Sequence, residues 1–533
     1  MLENLPPEKS CGSHRLVAKK HRGEAKIVKK IFLFAIALAF TGDLLYAQIY
    51  IAPDGDDLNP GTIAQPFGTL AKAVAVVQPG DTIYVRGGSY SIISPITISS
   101  SKSGFDSLKV TLTAFQDEVP LFDFSAQPFS LKGLSLRADY WHIRGLQIKG
   151  AGDNGMEING GSNNIIENCA FYENRDTGLQ LSNGASNNQI INCDSYFNAD
   201  PPDYGDADGF APKLTVGSGN NFYGCRAWGN CDDGWDGYLR GANDVTTTLE
   251  NCWTWGNGYL KDGTDPGSQA NGNGFKMGGG DNSNSERLMH HMILIKCVAF
   301  GNKNKGFDQN NNLGSMTLLN CSGYANLAAN YRIQRTLNSG QNLTIKNSLS
   351  FEGNVQLGNF AIQEANSWLA NFVVTSEDFV SLAAEQAAAP RQADGSLPEF
   401  EFLHLAQGSD LIDGGVDLGY AFKGTAPDLG AFESDYITSI SDNAIPESYH
   451  IYQNYPNPFN PNTTIQFQLA DPDKVRITIY NALGEQVSVL YDGYLASGTH
   501  KFKFNADGLA TGTYFYRIET QSFSHLRKMM LVK

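Results

Sequence analysis

The chain has 533 residues, room for more than one domain, and its 41% hydrophobic content excludes a wholly disordered protein. Its 39 Lys and Arg stand against 55 Asp and Glu, a formal net charge of −16, which excludes a nucleic-acid partner and an anionic membrane surface. Its 56 glycines, recurrent Asn-Gly and Gly-Asn steps and 11% aromatic content suit a β-rich protein with many tight turns.

Residues 1–47 read as targeting. The basic stretch Lys26-Ile27-Val28-Lys29-Lys30 precedes the apolar run Ile31 to Phe40, and Ala47 offers a cleavage point before Gln48. This is the pattern of a secretory signal peptide, with Val28 an alternative start. A membrane anchor is the competing reading, but the apolar run is short for a bilayer. Processing would leave 31 basic residues against 51 acidic ones, a net charge of −20, with seven of the eight cysteines. Such a surface repels a polyanionic sugar unless a bound cation reverses the sign locally.

After Gln48, Thr69 to Val77 places Leu70, Ala73, Val74 and Val77 on one helical face. Pro79-Gly80-Asp81 then turns into the strand Thr82-Ile83-Tyr84-Val85. A short amphipathic helix capping a solenoid is expected here, because an open end would expose the core.

The middle of the chain repeats. Cys169, Cys193, Cys225, Cys252, Cys297 and Cys321 each end a short apolar run, and an asparagine stands five residues after each: Asn174, Asn198, Asn230, Asn257, Asn302 and Asn326. Six matches at one offset mark the coils of a solenoid. The runs are β-branched and lack a helical period, so the coils are β-coils. The asparagines fit a stacked turn position with a left-handed backbone, and the cysteines fit an internal stack of small hydrophobes. The fold expected is all-β: a right-handed parallel β-helix over 48–433, its coils finishing near Gly430-Ala431-Phe432-Glu433. A linker over 434–447 and a small β-sandwich over 448–533 follow.

Four residues past the asparagines a second register begins. Aligning Gly178, Gly209, Gly234, Gly274, Gly306 and Asn330 makes the next position an inward apolar ladder: Leu179, Phe210, Trp235, Phe275, Phe307, Tyr331. Strand alternation then turns Gln180, Ala211, Asp236, Lys276, Asp308 and Arg332 outward. The preceding column holds Asp208 and Asp233, with Asp232 beside the latter. With coils about 4.8 Å apart, four carboxylates and one lysine converge on one face. Carboxylates so crowded need a cation, because like charges raise each other's pKa. Ca²⁺, which accepts about six to eight oxygens in loose geometry, fits best. No His or Cys joins the group, so zinc fits poorly. The cluster alone would also suit a structural ion or a hydrated acidic turn; the lysine one coil on favours chemistry.

Asp208-Gly209-Phe210-Ala211-Pro212-Lys213-Leu214, Asn230-Cys231-Asp232-Asp233-Gly234-Trp235-Asp236 and Asn271 to Gly278 resemble the family-nine pectate lyases in order and spacing. So do Ala52-Pro53-Asp54-Gly55 and Asn59-Pro60-Gly61-Thr62 near the start. The resemblance implies Asp208, Asp232, Asp233 and Asp236 as calcium ligands and Lys276 as the proton acceptor in β-elimination of an acidic polysaccharide. Polygalacturonate is the leading substrate, and rhamnogalacturonan the close rival. A hydrolase with a carboxylate pair and a non-catalytic surface adhesin are the competing classes. Residues 448–533, with Tyr455-Pro456-Asn457-Pro458-Phe459-Asn460-Pro461 and a basic end, resemble the C-terminal sorting domain of the type IX secretion system. That implies export through this machinery to the medium or the cell surface; a monomer is expected. Arg332 lies two coils from Lys276, placed either to bind a second sugar carboxylate or to pair with Asp308. His290-His291 reads as a surface or coil-edge pair. Trp253 and Trp255 read as packing between coils, with sugar stacking the alternative.

Overall fold

The computed structural model describes residues 46–436, 450–469, 473–495, 498–520 and 523–532. The expected signal peptide, but for its last two residues, and most of the expected linker lie outside them.

From Gln48 the chain winds into a right-handed parallel β-helix of three sheets with 12, 10 and 10 strands. Each coil adds one short strand to every sheet, so each strand pairs with the strand one coil before and one coil after. The helix Leu70–Val76 is capped by the Thr69 hydroxyl, which accepts from the Lys72 backbone N–H, and buries Leu70, Ala73 and Val74 against the first coils. Its apolar face closes the end of the core, as its sequence predicts.

The second sheet carries the outward column. Leu179 pairs with Phe210, Phe210 with Trp235, Trp235 with Phe275, Phe275 with Phe307 and Phe307 with Tyr331. All six are fully buried, and their rings stack along the coil axis with centroids 4.7–5.2 Å apart from Phe210 onward. The delayed glycines Gly209 and Gly274 therefore occupy the positions inferred from their following aromatic.

The asparagines five residues past each cysteine form a continuous internal ladder. Each side-chain Oδ1 accepts from the backbone N–H and the amide Nδ2 of the asparagine one coil earlier, from Asn174–Asn198 at 3.1 and 3.0 Å to Asn302–Asn326 at 3.2 and 2.8 Å. A second ladder, Asn164–Asn188–Asn220, runs along another turn. The left-handed backbone expected at the first ladder falls elsewhere. It belongs to the residue just before, Glu173, Phe197, Gly229, Gly256, Gly301 or Ala325, and to the asparagines preceding the cysteines, Asn168, Asn192, Asn251 and Asn320. The stacked asparagine keeps an ordinary backbone because its side chain, not its φ, makes the turn. The seven cysteines among the described residues are free and buried.

The coils end earlier than the Gly430–Glu433 expectation. The last strand of the helix is Ala361–Glu364, and the chain then runs back as irregular segments whose Phe379, Phe402, Leu405 and Leu411 pack on Trp253, Val298 and Phe300 of the third sheet. Arg226 fastens this wrap: it pairs with Asp194 and donates to the carbonyls of Ala387 and Ala389.

Residues from His450 form two antiparallel sheets. One joins His450–Ile451, Asn462–Leu469 and Gly498–Asn505; the other joins Asp473–Asn481, Gln486–Leu495, Gly512–Glu519 and Ser524–Leu531. Alternating residues Ile465, Phe467, Val475, Ile477, Tyr516 and Leu531 share one core, the pattern of a β-sandwich.

Candidate active site

On the outer side of the second sheet, Asp236 pairs in register with Lys276, Lys276 with Asp308, and Asp308 with Arg332. Asp208 and Asp233 belong to the turns that lead into adjacent strands: the backbone N–H of Asp233 donates to Asp208 Oδ1 at 3.2 Å. One oxygen each from Asp208, Asp232 and Asp233 lies within 4.8 Å of the others, and all three residues are buried. Asp236 joins them through lysines. Lys276 Nζ lies 3.0 Å from Asp233 Oδ2 and 3.4 Å from Asp236 Oδ1.

Backbone and amide donors orient the carboxylates. Asn271 donates to Asp232 through both its N–H and its side chain, and Asn273 does the same for Asp233, at 2.7 and 2.9 Å to Oδ1. Asp233 Oδ2 is buried with no hydrogen-bond donor aligned on it. Burial, and after it the neighbouring carboxylates, push Asp208 and Asp232 well above the usual carboxylate range; Asp233 rises too, with Lys276 opposing. Burial would push the Lys276 ammonium down, but Asp233, Asp236, Asp232 and Asp208 together outweigh it and hold it well above its ordinary value.

The sequence passes over one member. Lys213 is 6% exposed, and its Nζ lies 2.8 Å from Asp208 Oδ2 and 3.9 Å from Asp236 Oδ2. Its signal is strand alternation: two residues past Ala211, it shares the outward face. With all four carboxylates ionised, as a bound cation requires, the two ammonium groups leave two negative charges in a buried, oxygen-rich cluster. That donor set, in which Asp233 Oδ2 meets the Lys276 ammonium but no aligned hydrogen-bond donor, fits one hard divalent cation such as Ca²⁺.

The remaining candidates separate. Arg332 is exposed and makes no ion pair among the described residues; Asp308 instead pairs with Lys305 at 3.0 Å, so the Arg332–Asp308 alternative falls away. His290 is not at a surface. It is fully buried, its Nδ1 2.8 Å from the Gly237 carbonyl and its Nε2 2.8 Å from the Thr247 hydroxyl, and burial lowers it to about 4. His291 is the outer member and pairs with Asp244. Trp255 stacks between Trp228 and Phe300, and Trp253 packs on Phe400 and Phe432, so both serve packing.

A parallel β-helix with this carboxylate-lysine face defines the class: the protein is a polysaccharide lyase. Residues 49–352 match the Pel9A-like right-handed β-helix region, and residues 453–533 match the secretion system C-terminal sorting domain. The chain belongs to the Pel9A-like β-helix family, and its tail marks it for type IX secretion, to the medium or the cell surface. It is similar to "Pectate lyase L" of Paenibacillus polymyxa, 41% identical over 394 residues that cover 70% of this chain and 85% of that one. "Pectate lyase L" of Dickeya dadantii is 38% identical, covering 72% and 90%. Among solved structures, pectate lyase Pel9A superposes with a TM-score of 0.67 at 37% identity, covering 73% of this chain and 96% of that one. A rhamnogalacturonan lyase gives 0.59 at 26%, covering 68% and 96%.

Proposed function

We propose that the protein is a calcium-dependent pectate lyase that cleaves polygalacturonate by β-elimination. The observation that carries the reading is the juxtaposition of Lys276 with the Asp208, Asp232, Asp233 and Asp236 cluster on one outer face. Those four carboxylates would hold the ion. When bound, Ca²⁺ supplies the positive charge that meets the uronate carboxylate and makes the C5 proton easier to remove.

The chain's own residues do the rest. Lys276 Nζ, in its neutral form, takes the C5 proton; the freed electron pair becomes the C4–C5 double bond, the C4–O bond breaks, and the leaving sugar oxygen takes a proton from water. A lysine has an ordinary pKa of about 10.4, and the carboxylates hold Lys276 above it until a cation engages them. Activity is therefore expected on the alkaline side; a maximum below about pH 6 would overturn the role of Lys276. Arg332, two coils on and without an ion pair among the described residues, would meet a further carboxylate of the polymer.

A rhamnogalacturonan lyase is the second reading, supported by the similarity to that enzyme's fold. One assay separates them: ultraviolet absorbance of the unsaturated product, followed on each polymer with Ca²⁺ or a chelator. A calcium-dependent rise on polygalacturonate supports the proposal. A rise on rhamnogalacturonan alone moves the substrate, and no rise on either from folded protein overturns the reading.

A further inference from the structure

Lys213 has no part in the proton transfer, yet its position is specific. It follows the strand Phe210–Pro212, while its Nζ returns to Asp208, ahead of that strand, at 2.8 Å, and to the Asp206 carbonyl at 3.4 Å. The stem must therefore cross the outward face of the strand, where the column residue is Ala211, fully buried and too small to obstruct it. The equivalent positions one and two coils on are Asp236 and Lys276, and neither would leave that space. The ammonium thus enters the cluster from the side opposite its partner lysine: Lys213 pairs with Asp208, Lys276 with Asp233, and both approach Asp236.

We propose that Lys213 is a tethered counter-ion that sets the charge of the cluster for one divalent cation, moderating its affinity and its preference for valence. The inference rests on the metal reading above and deepens it. With both ammonium groups in place the four ionised carboxylates leave two negative charges, which one Ca²⁺ neutralises. Charge left uncompensated in a buried site is costly, so this balance matters more here than on a surface. Without Lys213 the ionised cluster carries three negative charges and Asp208 Oδ2 keeps only the Thr177 hydroxyl at 3.3 Å, so it binds Ca²⁺ more tightly and favours a trivalent ion. A lysine that only braced the strand would have the opposite signature, since its loss would loosen the ligands and weaken binding.

The test is calorimetric titration of the full chain with Ca²⁺ and, separately, with Tb³⁺. Lys213→Gln is the primary variant because it keeps a hydrogen-bond donor near Asp208; Lys213→Met is the second if it misfolds, and Lys213→Arg keeps the charge. The neutral variant is expected to bind Ca²⁺ at least about tenfold more tightly, and Tb³⁺ by a larger factor, while Lys213→Arg keeps the wild-type preference. Equal or weaker Ca²⁺ binding by a folded neutral variant overturns the counter-ion role and leaves the metal site standing. A wild-type chain that binds neither ion overturns the metal site, and the counter-ion role with it.

Discussion

Two stacks of buried polar groups run side by side through the same coils, and they behave in opposite ways. In the asparagine ladder every Oδ1 from Asn198 to Asn326 meets two donors from the asparagine one coil before and every Nδ2 meets an acceptor, so the stack is neutral and satisfied from within. A few residues further along each coil, Asp208 and Asp233 occupy equivalent turns, but there the carboxylates depend on lysines from other positions, and one oxygen of Asp233 has only the Lys276 ammonium and no aligned hydrogen bond. A self-satisfied stack holds a fold together. An unsatisfied one is poised for something to arrive, and two lysines meet only part of the need.

The sharpest break between the stacks is Lys276→Met against Asn257→Ala. Removing the proposed proton acceptor is expected to cut the elimination rate about 10²- to 10⁴-fold in calcium-loaded protein that remains folded at the assay temperature. Asn257→Ala should do the reverse. It strips the acceptor from Asn230 N, one of two acceptors from Asn230 Nδ2 and one of two donors from Asn302 Oδ1, a cost of about 3 kcal/mol in denaturant unfolding. Its turnover at saturating substrate, measured below the unfolding transition, should stay within about threefold. If the two variants lose stability and rate alike, the division between structural and chemical stacks is wrong.

A gentler probe uses pH. In the metal-free chain Asp208, Asp232 and Asp233 are raised, so the folded state holds protons that the unfolded state releases above about pH 4. That contribution is full below the unfolded pKa and is lost as pH rises through the folded values, about 1.4 kcal/mol per pH unit for each such proton. The calcium-loaded form needs the same carboxylates ionised, so its advantage grows with pH. Melting temperatures with Ca²⁺ and with chelator, compared from about pH 5 to about pH 8, should therefore diverge as pH rises. His290, lowered to about 4, loses stability as pH falls through about 6.5, but equally in both forms, so the difference between them isolates the cluster. A gap that stays constant or narrows would contradict a cation-binding cluster.

The sequence makes the column plain because coils repeat at residue resolution. The fixed step from cysteine to asparagine locates every turn, and the glycine-aromatic pair beyond it resets the register after insertions. Hence Asp236, Lys276 and Arg332 fall where alternation puts them. What the repeat does not encode is how a long side chain travels. Lys213 lies off the aligned column, and only its return over Ala211 brings it to Asp208. The wrap over residues 365–436 is hidden for a related reason: it has no period, and its partners Trp253, Val298 and Phe300 belong to coils wound much earlier in the chain. The left-handed residue lies one position before the stacked asparagine; Gly229, Gly256 and Gly301 mark it in three coils, but Glu173, Phe197 and Ala325 in the others obscure the signal.

The smallest expected effect separates binding from chemistry along the same outward column. Arg332 sits two coils beyond Lys276, about 10 Å away along the axis at the usual coil spacing, too far to touch the scissile residue. Its guanidinium is exposed, so a bond it makes to a polymer carboxylate is weakened by solvent. Arg332→Ala is therefore expected to raise KM about threefold to tenfold and to leave kcat within about twofold. That split matters more than its size. A fall in kcat with KM unchanged would mean that Arg332 reaches the reacting sugar, and that the polymer crosses the sheet obliquely instead of following the column.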